Sequence, residues 1–292
     1  MALDIFRPRE RALLRIEARV RKAGHLFLFL DYDGTLVGLR KTPRQAVPSV
    51  RLRRLLDRLQ KLRATTLGVI TGRSLTDITA LLKPTKIVIA ANHGFEIVAD
   101  GKTWIHPGVS KRVADLLPLS TAIRRKLRKV PGVLVEYKKS TLSVHYRNVA
   151  PSSVDRVRSV VEAAVSPLRR NLVLTNGKKV IEIRPKVAWS KGHAVRRLVR
   201  QRRWLHNPLV VYCGDDVTDE DAFRLLSRKA VTIRVGNARL SRARYTVENV
   251  SAMHRFLSLV CDWRTGSGKT ANVRNRPRNQ VVSGRVVRRP EV

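Results

Sequence analysis

Residues 26–38 read LFLFLDYDGTLVG: five apolar residues, then two aspartates separated by one position, then Gly-Thr. A run that is apolar at every position has no face left for water, so it predicts a strand buried on both sides, as in a parallel sheet covered by helices. Runs of the same kind stand at TLGVI (66–70), KIVIAA (86–91), LVVYC (209–213) and AVTIRV (230–235). Between most of them lie helix-period segments at 47–62, 75–82, 191–201 and 219–227. Strand and helix in alternation predict an α/β fold, a doubly wound, Rossmann-like parallel sheet.

The middle of the chain has another rhythm. From about 104 to 185 the strands alternate polar and apolar, as in TLSVHYRNV (141–149), which reads as a half-buried sheet with one polar face. The expected organisation is therefore a core built from 1–103 and 186–263, an inserted smaller α/β unit at 104–185, and a basic tail without periodicity at 264–292. Within the tail, GSGKT (266–270) is no phosphate-cradling loop. That motif needs a glycine at 263, where Trp263 stands, and no helix pattern follows.

The charge balance is extreme, 60 Lys+Arg against 22 Asp+Glu, or +38 at pH 7. Such a field attracts nucleic acid, acidic membranes and phosphorylated small molecules alike. The cations are scattered through RVRK (19–22), RLRR (51–54), RRKLRK (124–129) and RRLVRQRR (196–203), at spacings that read as solvated helix faces. No apolar run approaches the roughly 18 residues of a membrane span. The charged first 25 residues lack the apolar core of a signal peptide, and two cysteines make no disulfide framework, so a reducing, cytoplasmic setting is expected.

In so basic a chain, the placing of acids is informative. Asp31 and Asp33 follow the carboxyl end of a core strand, where open parallel sheets bind ligands, and residues i and i+2 of an extended segment point the same way. Adjacent carboxylates repel unless a cation holds them, and Mg²⁺ is the expected one. A second cluster, GDDVTDED (214–221), follows the strand VVYC. Acids in the first turn of a helix complement its dipole, which accounts for Asp219 to Asp221 but poorly for Asp215 and Asp216.

These motifs carry a resemblance. D-x-D-G-T at 31–35, T-G-R-S at 71–74, the lysine of W-S-K-G at 189–192 and G-D-D-x-T-D-E at 214–220 together resemble the haloacid dehalogenase superfamily of phosphotransferases. Within it, LFLDYDGTL, GVITGRS, NHGFEI, VEYKKSTLSVHYRNV, GKKVIEIRP and GDDVTDEDAF are similar to trehalose-6-phosphate phosphatases, in order, from about Leu26 to Leu226. The resemblance implies a hydrolase core with a cap, and a Mg²⁺-dependent phosphatase that releases phosphate from trehalose 6-phosphate through an aspartyl-phosphate.

It also implies roles. Asp31 is the nucleophile and Asp33 the proton shuttle. Thr71, with its neighbours Gly72 and Arg73, meets the substrate's phosphoryl end, and Lys191 neutralises charge between Asp31 and phosphate. Asp31, the Asp33 carbonyl and Asp215 hold Mg²⁺, with Asp216 and Asp219 orienting them. Ser74 and Asp77 read as a capping box.

In the insert, alternation puts Glu136 with Lys138, His145 with Arg147, and Lys178 with Glu182 on shared strand faces. A face mixing acids and cations suits a polyhydroxylated sugar, because hydroxyls donate and accept. By resemblance Glu136, Lys138, Arg147, Lys178 and Glu182 contact that sugar. His93-Gly94 is similar to the family's Ser-His-Gly turn with Asn92 in place of Ser, and reads as structural. His25, His106, His193, His206 and His254 show no metal spacing. Other sugar phosphates, such as sucrose phosphate or mannosyl-phosphoglycerate, stay open as substrates. So does a protein that binds nucleic acid or anionic lipid nonspecifically through its basic surface and tail.

Overall fold

The computed structural model describes residues 2–7, 11–83, 86–110, 112–226, 230–237 and 240–266. The GSGKT stretch beyond Gly266 and the expected basic tail lie outside these residues from 267 on.

In chain order the elements are β1 (Leu3–Asp4), α1 (Ala12–Lys22), β2 (His25–Leu30), α2 (Val50–Gln60), β3 (Thr65–Ile70), α3 (Leu75–Leu82), β4 (Val88–Ala91), β5 (Glu96–Ala99), β6 (Lys102–Ile105), α4 (Pro107–Ser110), α5 (Leu116–Leu127), β7 (Leu134–Tyr137), β8 (Leu142–His145), α6 (Pro151–Val165), β9 (Leu172–Gly177), β10 (Val180–Pro185), α7 (Lys191–Arg200), β11 (Pro208–Gly214), α8 (Val217–Leu226), β12 (Val231–Val235), β13 (Tyr245–Val247) and α9 (Val250–Thr265).

The large sheet has the order β1-β13-β12-β11-β2-β3-β4-β5-β6. It is parallel from β1 to β4 and closes with the antiparallel β5 and β6. The strand that opened the sequence, β2, sits between β11 and β3. Its side chains divide between the two faces as a period of two requires. Leu26, Leu28 and Leu30 join one apolar cluster with residues of α1, α2 and α9, while Phe27 and Phe29 join another with residues of α7 and α8. Helix α2 forms where the hydroxyl of Ser49 caps the Leu52 N–H, and it lays Leu52, Leu55, Leu56 and Leu59 on the sheet at helical spacing.

The inserted unit carries an antiparallel sheet of order β7-β8-β10-β9 with its own apolar cluster, drawn from residues 116 to 183. Val135, Val144 and Ile181 pair across three strands on the packed side. One residue along, Glu136, Ser143, Glu182 and Thr175 pair across all four strands in a polar row on the other side.

Four expectations shift. Residue 104 is no boundary, because Trp104 lies in β6 and pairs with Ile97 of the large sheet. The expected strand 141–149 stops at His145, and Arg147 stands in a turn. Lys178 shares no strand face with Glu182. It sits in the two-residue turn between β9 and β10, where Lys179 takes φ +65°. Residues 264 and 265, expected in the tail, belong to α9, which continues to Thr265.

Candidate active site

The strand ends put the acids where the sequence reading expects them. Asp31 follows β2, Thr71 follows β3, Asp215 follows β11, and Lys191 opens α7. Lys191 Nζ donates to Asp31 Oδ1 at 2.8 Å and to Asp219 Oδ1 at 2.9 Å, and all three groups are buried. Burial works against the ammonium, but the charges of Asp219 and Asp31 outweigh it and raise Lys191 above the ordinary lysine value.

Asp219 is the anchor of the second acidic cluster. One oxygen accepts from Tyr212 Oη at 2.7 Å and from Lys191, and the other accepts from the backbone N–H groups of Asp215 and Asp216, both at 3.0 Å. Gly34 brings the first loop against this one. Its φ is +83°, and a Cβ there would lie 2.1 Å from Asp215 Oδ2, so no residue with a side chain fits. Thr35 Oγ1 donates to Asp215 Oδ1 at 3.4 Å.

Asp31, Asp215 and Asp219 each bring a carboxylate oxygen within 4.8 Å of the other two, the one such group among the described residues. Burial pushes the Asp31 carboxyl well above its usual range, with Lys191 pulling it down and Asp219 and Asp215 adding to the rise. Burial and then Asp219 raise Asp215 as well. Asp219 is consumed by four protein donors, whereas Lys191 takes one oxygen of Asp31, and Thr35 and Lys178 reach those of Asp215. An all-oxygen acidic set of this kind suits a hard divalent cation such as Mg²⁺.

Asp33 is held from the side. Arg73 Nε and Nη2 grip its two oxygens at 2.7 and 2.8 Å, Nη1 reaches Asp77 at 2.6 Å, and Nη2 also donates to the Pro43 carbonyl. Arg73 is 5% exposed. Expected at the substrate, it lines the cavity and directs its fork to protein acceptors. Ser74 caps α3 through the Asp77 N–H at 3.1 Å, but Asp77 turns to Arg73 rather than back to the cap, so the capping box is half made.

The inserted sheet supplies the opposite wall. Its polar row faces a cavity of about 150 Å³ lined by Asp31, Asp33, Thr71, Gly72, Arg73 and Lys191 on one side, and by Glu136, Lys138, His145, Arg147, Lys178 and Glu182 on the other. Asp215 and Asp216 line it too. Lys138 Nζ donates to the Gly72 carbonyl at 2.9 Å and lies 3.5 Å from Glu182 and 3.8 Å from Glu136. Glu136 Oε2 sits 2.9 Å from His145 Nε2. Arg147 donates to the Lys178 carbonyl at 2.7 Å, and Lys178 Nζ reaches both the carbonyl and the carboxylate of Asp215.

The NHGFE turn (92–96), read from sequence as structural, does more than shape the chain. Asn92 donates to Glu96 at 2.6 Å and to the Lys138 carbonyl at 3.2 Å, and accepts from Thr141 Oγ1 at 2.8 Å, so it ties the two sheets together. His93 lines the cavity. The available signal was a polar pair in a turn followed by an acid; both Asn92 and His93 take positive φ. Away from the cavity, a groove of about 1070 Å³ between α2 and α9 is lined by Arg51, Arg54, Arg58 and Arg255 and holds none of these groups.

The trehalose-phosphatase family profile matches residues 29–255. A trehalose-phosphate phosphatase of Mycobacterium marinum is 36% identical over 215 residues, 71% of this chain and 53% of its own. A Mycobacterium tuberculosis protein described as an uncharacterized glycosyl hydrolase is 35% identical over 250 residues, 80% of this chain and 18% of its own. The chain thus spans between about a fifth and a half of the length of these relatives. The C-terminal domain of the trehalose-6-phosphate phosphatase of C. albicans superposes with a TM-score of 0.78 at 22% identity, covering 89% of this chain and 98% of that one, which is a likeness of fold. With a profile match across both sheets and the strand-end acids in place, this chain belongs to the trehalose-phosphatase family.

Proposed function

We propose that the chain is a Mg²⁺-dependent phosphatase that releases inorganic phosphate from trehalose 6-phosphate through an aspartyl-phosphate. One observation carries the reading: Asp31, bonded to Lys191, faces across a single cavity the polar row of the inserted sheet.

Asp31 attacks phosphorus, so its P–O bond forms as the bond to the sugar oxygen breaks. Asp33 gives that oxygen its proton. The Arg73 fork occupies one lone pair on each Asp33 oxygen and leaves the outer ones for the proton. Asp33 then takes a proton from the water that displaces Asp31 and frees phosphate. Lys191 offsets the negative charge between Asp31 and the phosphoryl group, and the hydroxyl of Thr71 is placed to donate to a phosphoryl oxygen. Asp31 and Asp215, with the Asp33 carbonyl, would hold Mg²⁺, which when bound neutralises phosphoryl charge. Glu136, Lys138, Arg147, Lys178 and Glu182 would read the sugar, and Asp216 would support the ion's ligands.

The test is phosphate release from trehalose 6-phosphate, sucrose phosphate and mannosyl-phosphoglycerate, with Mg²⁺ and with a chelator. Trehalose 6-phosphate should give the highest kcat/KM, and chelation should stop turnover. No release from any of the three overturns the reading. Arg73→Lys should lower kcat by about a hundredfold, because one ammonium cannot hold both Asp33 oxygens and a small misplacement of the proton donor is costly. An undiminished kcat would remove Arg73 from that role.

No helix among the described residues is long and apolar enough to cross a membrane. Two buried free cysteines, Cys213 and Cys261, are consistent with a reducing cytoplasmic setting. The basic groove between α2 and α9 supports a second, weak capacity for polyanions that collapses with salt.

A further inference from the structure

Two buried polar atoms face each other across the cavity without a partner. Glu182 accepts from Ser143 Oγ at 2.9 Å through Oε1, but Oε2 has no hydrogen-bond partner among the described residues. Opposite it, at 3.8 Å, is His93 Nε2, which has none either. The two residues are 7% and 5% exposed. At 3.8 Å no direct hydrogen bond forms. They belong to different sheets, Glu182 to β10 and His93 to the turn after β4. The main chain at His93 is tied by its backbone N–H to the Thr71 carbonyl at 2.8 Å, and the ring packs on Gly72, where a Cβ would lie 2.8 Å from Cε1.

The gap has a definite chemistry. A single oxygen about 2.8 Å from both atoms subtends about 85° at itself, somewhat tighter than the tetrahedral directions of a hydroxyl but within the breadth of hydrogen-bond geometry. The carboxylate needs a donor. Burial pushes His93 down to about 4, so the imidazole is neutral near pH 7 and its Nε2–H tautomer needs an acceptor. A phosphoryl oxygen offers no proton to Glu182, and an ammonium offers no lone pair to His93. A hydroxyl offers both.

We propose that His93 and Glu182 clamp one hydroxyl of the substrate between the two sheets, making His93 a specificity-determining residue that selects polyhydroxylated phosphate esters. The proposal rests on the sugar-phosphate reading of the cavity and adds to it a ligand from the core, on the same side as the phosphoryl chemistry.

The experiment compares kcat/KM for trehalose 6-phosphate and for p-nitrophenyl phosphate, which has no hydroxyl to clamp, in the wild type, His93→Ala, His93→Gln, Glu182→Gln and the double variant His93→Ala/Glu182→Gln. The ratio of the two values should fall about tenfold in His93→Ala, mainly through KM, the size of losing one hydrogen bond to the substrate. His93→Gln, whose amide N–H reaches toward the same point, should recover part of it, which a collapsed fold would not allow. The double variant should be little worse than Glu182→Gln alone, because the clamp needs both sides. A ratio unchanged in His93→Ala, or a double variant whose losses simply add, overturns the clamp while leaving the phosphatase reading standing. A wild type that hydrolyses p-nitrophenyl phosphate but no sugar phosphate overturns both.

Discussion

Asp31→Asn is expected to stop phosphate release, with a loss on the order of 10⁴-fold or more, while the protein stays folded. The amide keeps the shape of the carboxylate and its place beside Lys191, but its oxygen is no nucleophile at phosphorus. Stability should change little. Burial raises the Asp31 carboxyl well above its usual range, and the neutral amide removes a repulsion with Asp219 and Asp215 that offsets the lost attraction to Lys191. Phosphate release, acid-quench capture of a phosphorylated enzyme, and a thermal melt together test this. More than about 1% residual turnover would take the nucleophile's role away from Asp31.

Asp219→Ala is expected to cost about 3–5 kcal/mol of folding stability, the largest structural effect of any single change at the site. Its carboxylate takes four donors: Tyr212 Oη, Lys191 Nζ and the backbone N–H groups of Asp215 and Asp216. Alanine leaves Tyr212 and two main-chain donors buried without acceptors and Lys191 with one counter-charge instead of two. Turnover should fall too, since the Asp215 loop and Lys191 lose the group that holds them. Urea unfolding gives the number, and a loss below about 1 kcal/mol would mean that water or a shifted loop replaces the lost acceptor. Asp219→Asn should restore little, because its NH₂ would meet either donating backbone groups or the lysine.

The large sheet could be read from residue pattern because its strands are buried on both faces. A run such as LFLFL has one physical interpretation at that length, and the acids that follow it inherit their position from strand polarity. The same rule places Asp215 and Thr71 at strand ends. Reading failed where the backbone turns. Alternation alone could not tell that His145 is the last residue of β8, or that Lys178 belongs to a two-residue turn, since a lysine suits either. Asn92 and His93 read only as a structural turn, and their contacts across the cavity escape the sequence for another reason. Their partners, Thr141, Lys138 and Glu182, lie in the inserted unit, and nothing local marks a residue whose value depends on a chain segment arriving from elsewhere. Arg73 shows the same limit: its neighbour Thr71 faces the cavity, yet its own guanidinium is committed to Asp33 and Asp77.

The inserted sheet closes its apolar cluster with residues 116 to 183 alone, and the large sheet closes its two clusters without them. Each wall of the cavity therefore stands on a separate foundation. The row Glu136, Ser143, Glu182 and Thr175 can be rewritten, to suit a sugar of different stereochemistry, at the expense of its own small core and no other. The strand ends that carry phosphoryl chemistry would feel such edits only where the two walls meet, as at Asn92, His93, Gly72 and Asp215. A lineage adjusting its substrate has its freest letters on one wall and a few constrained ones on the other.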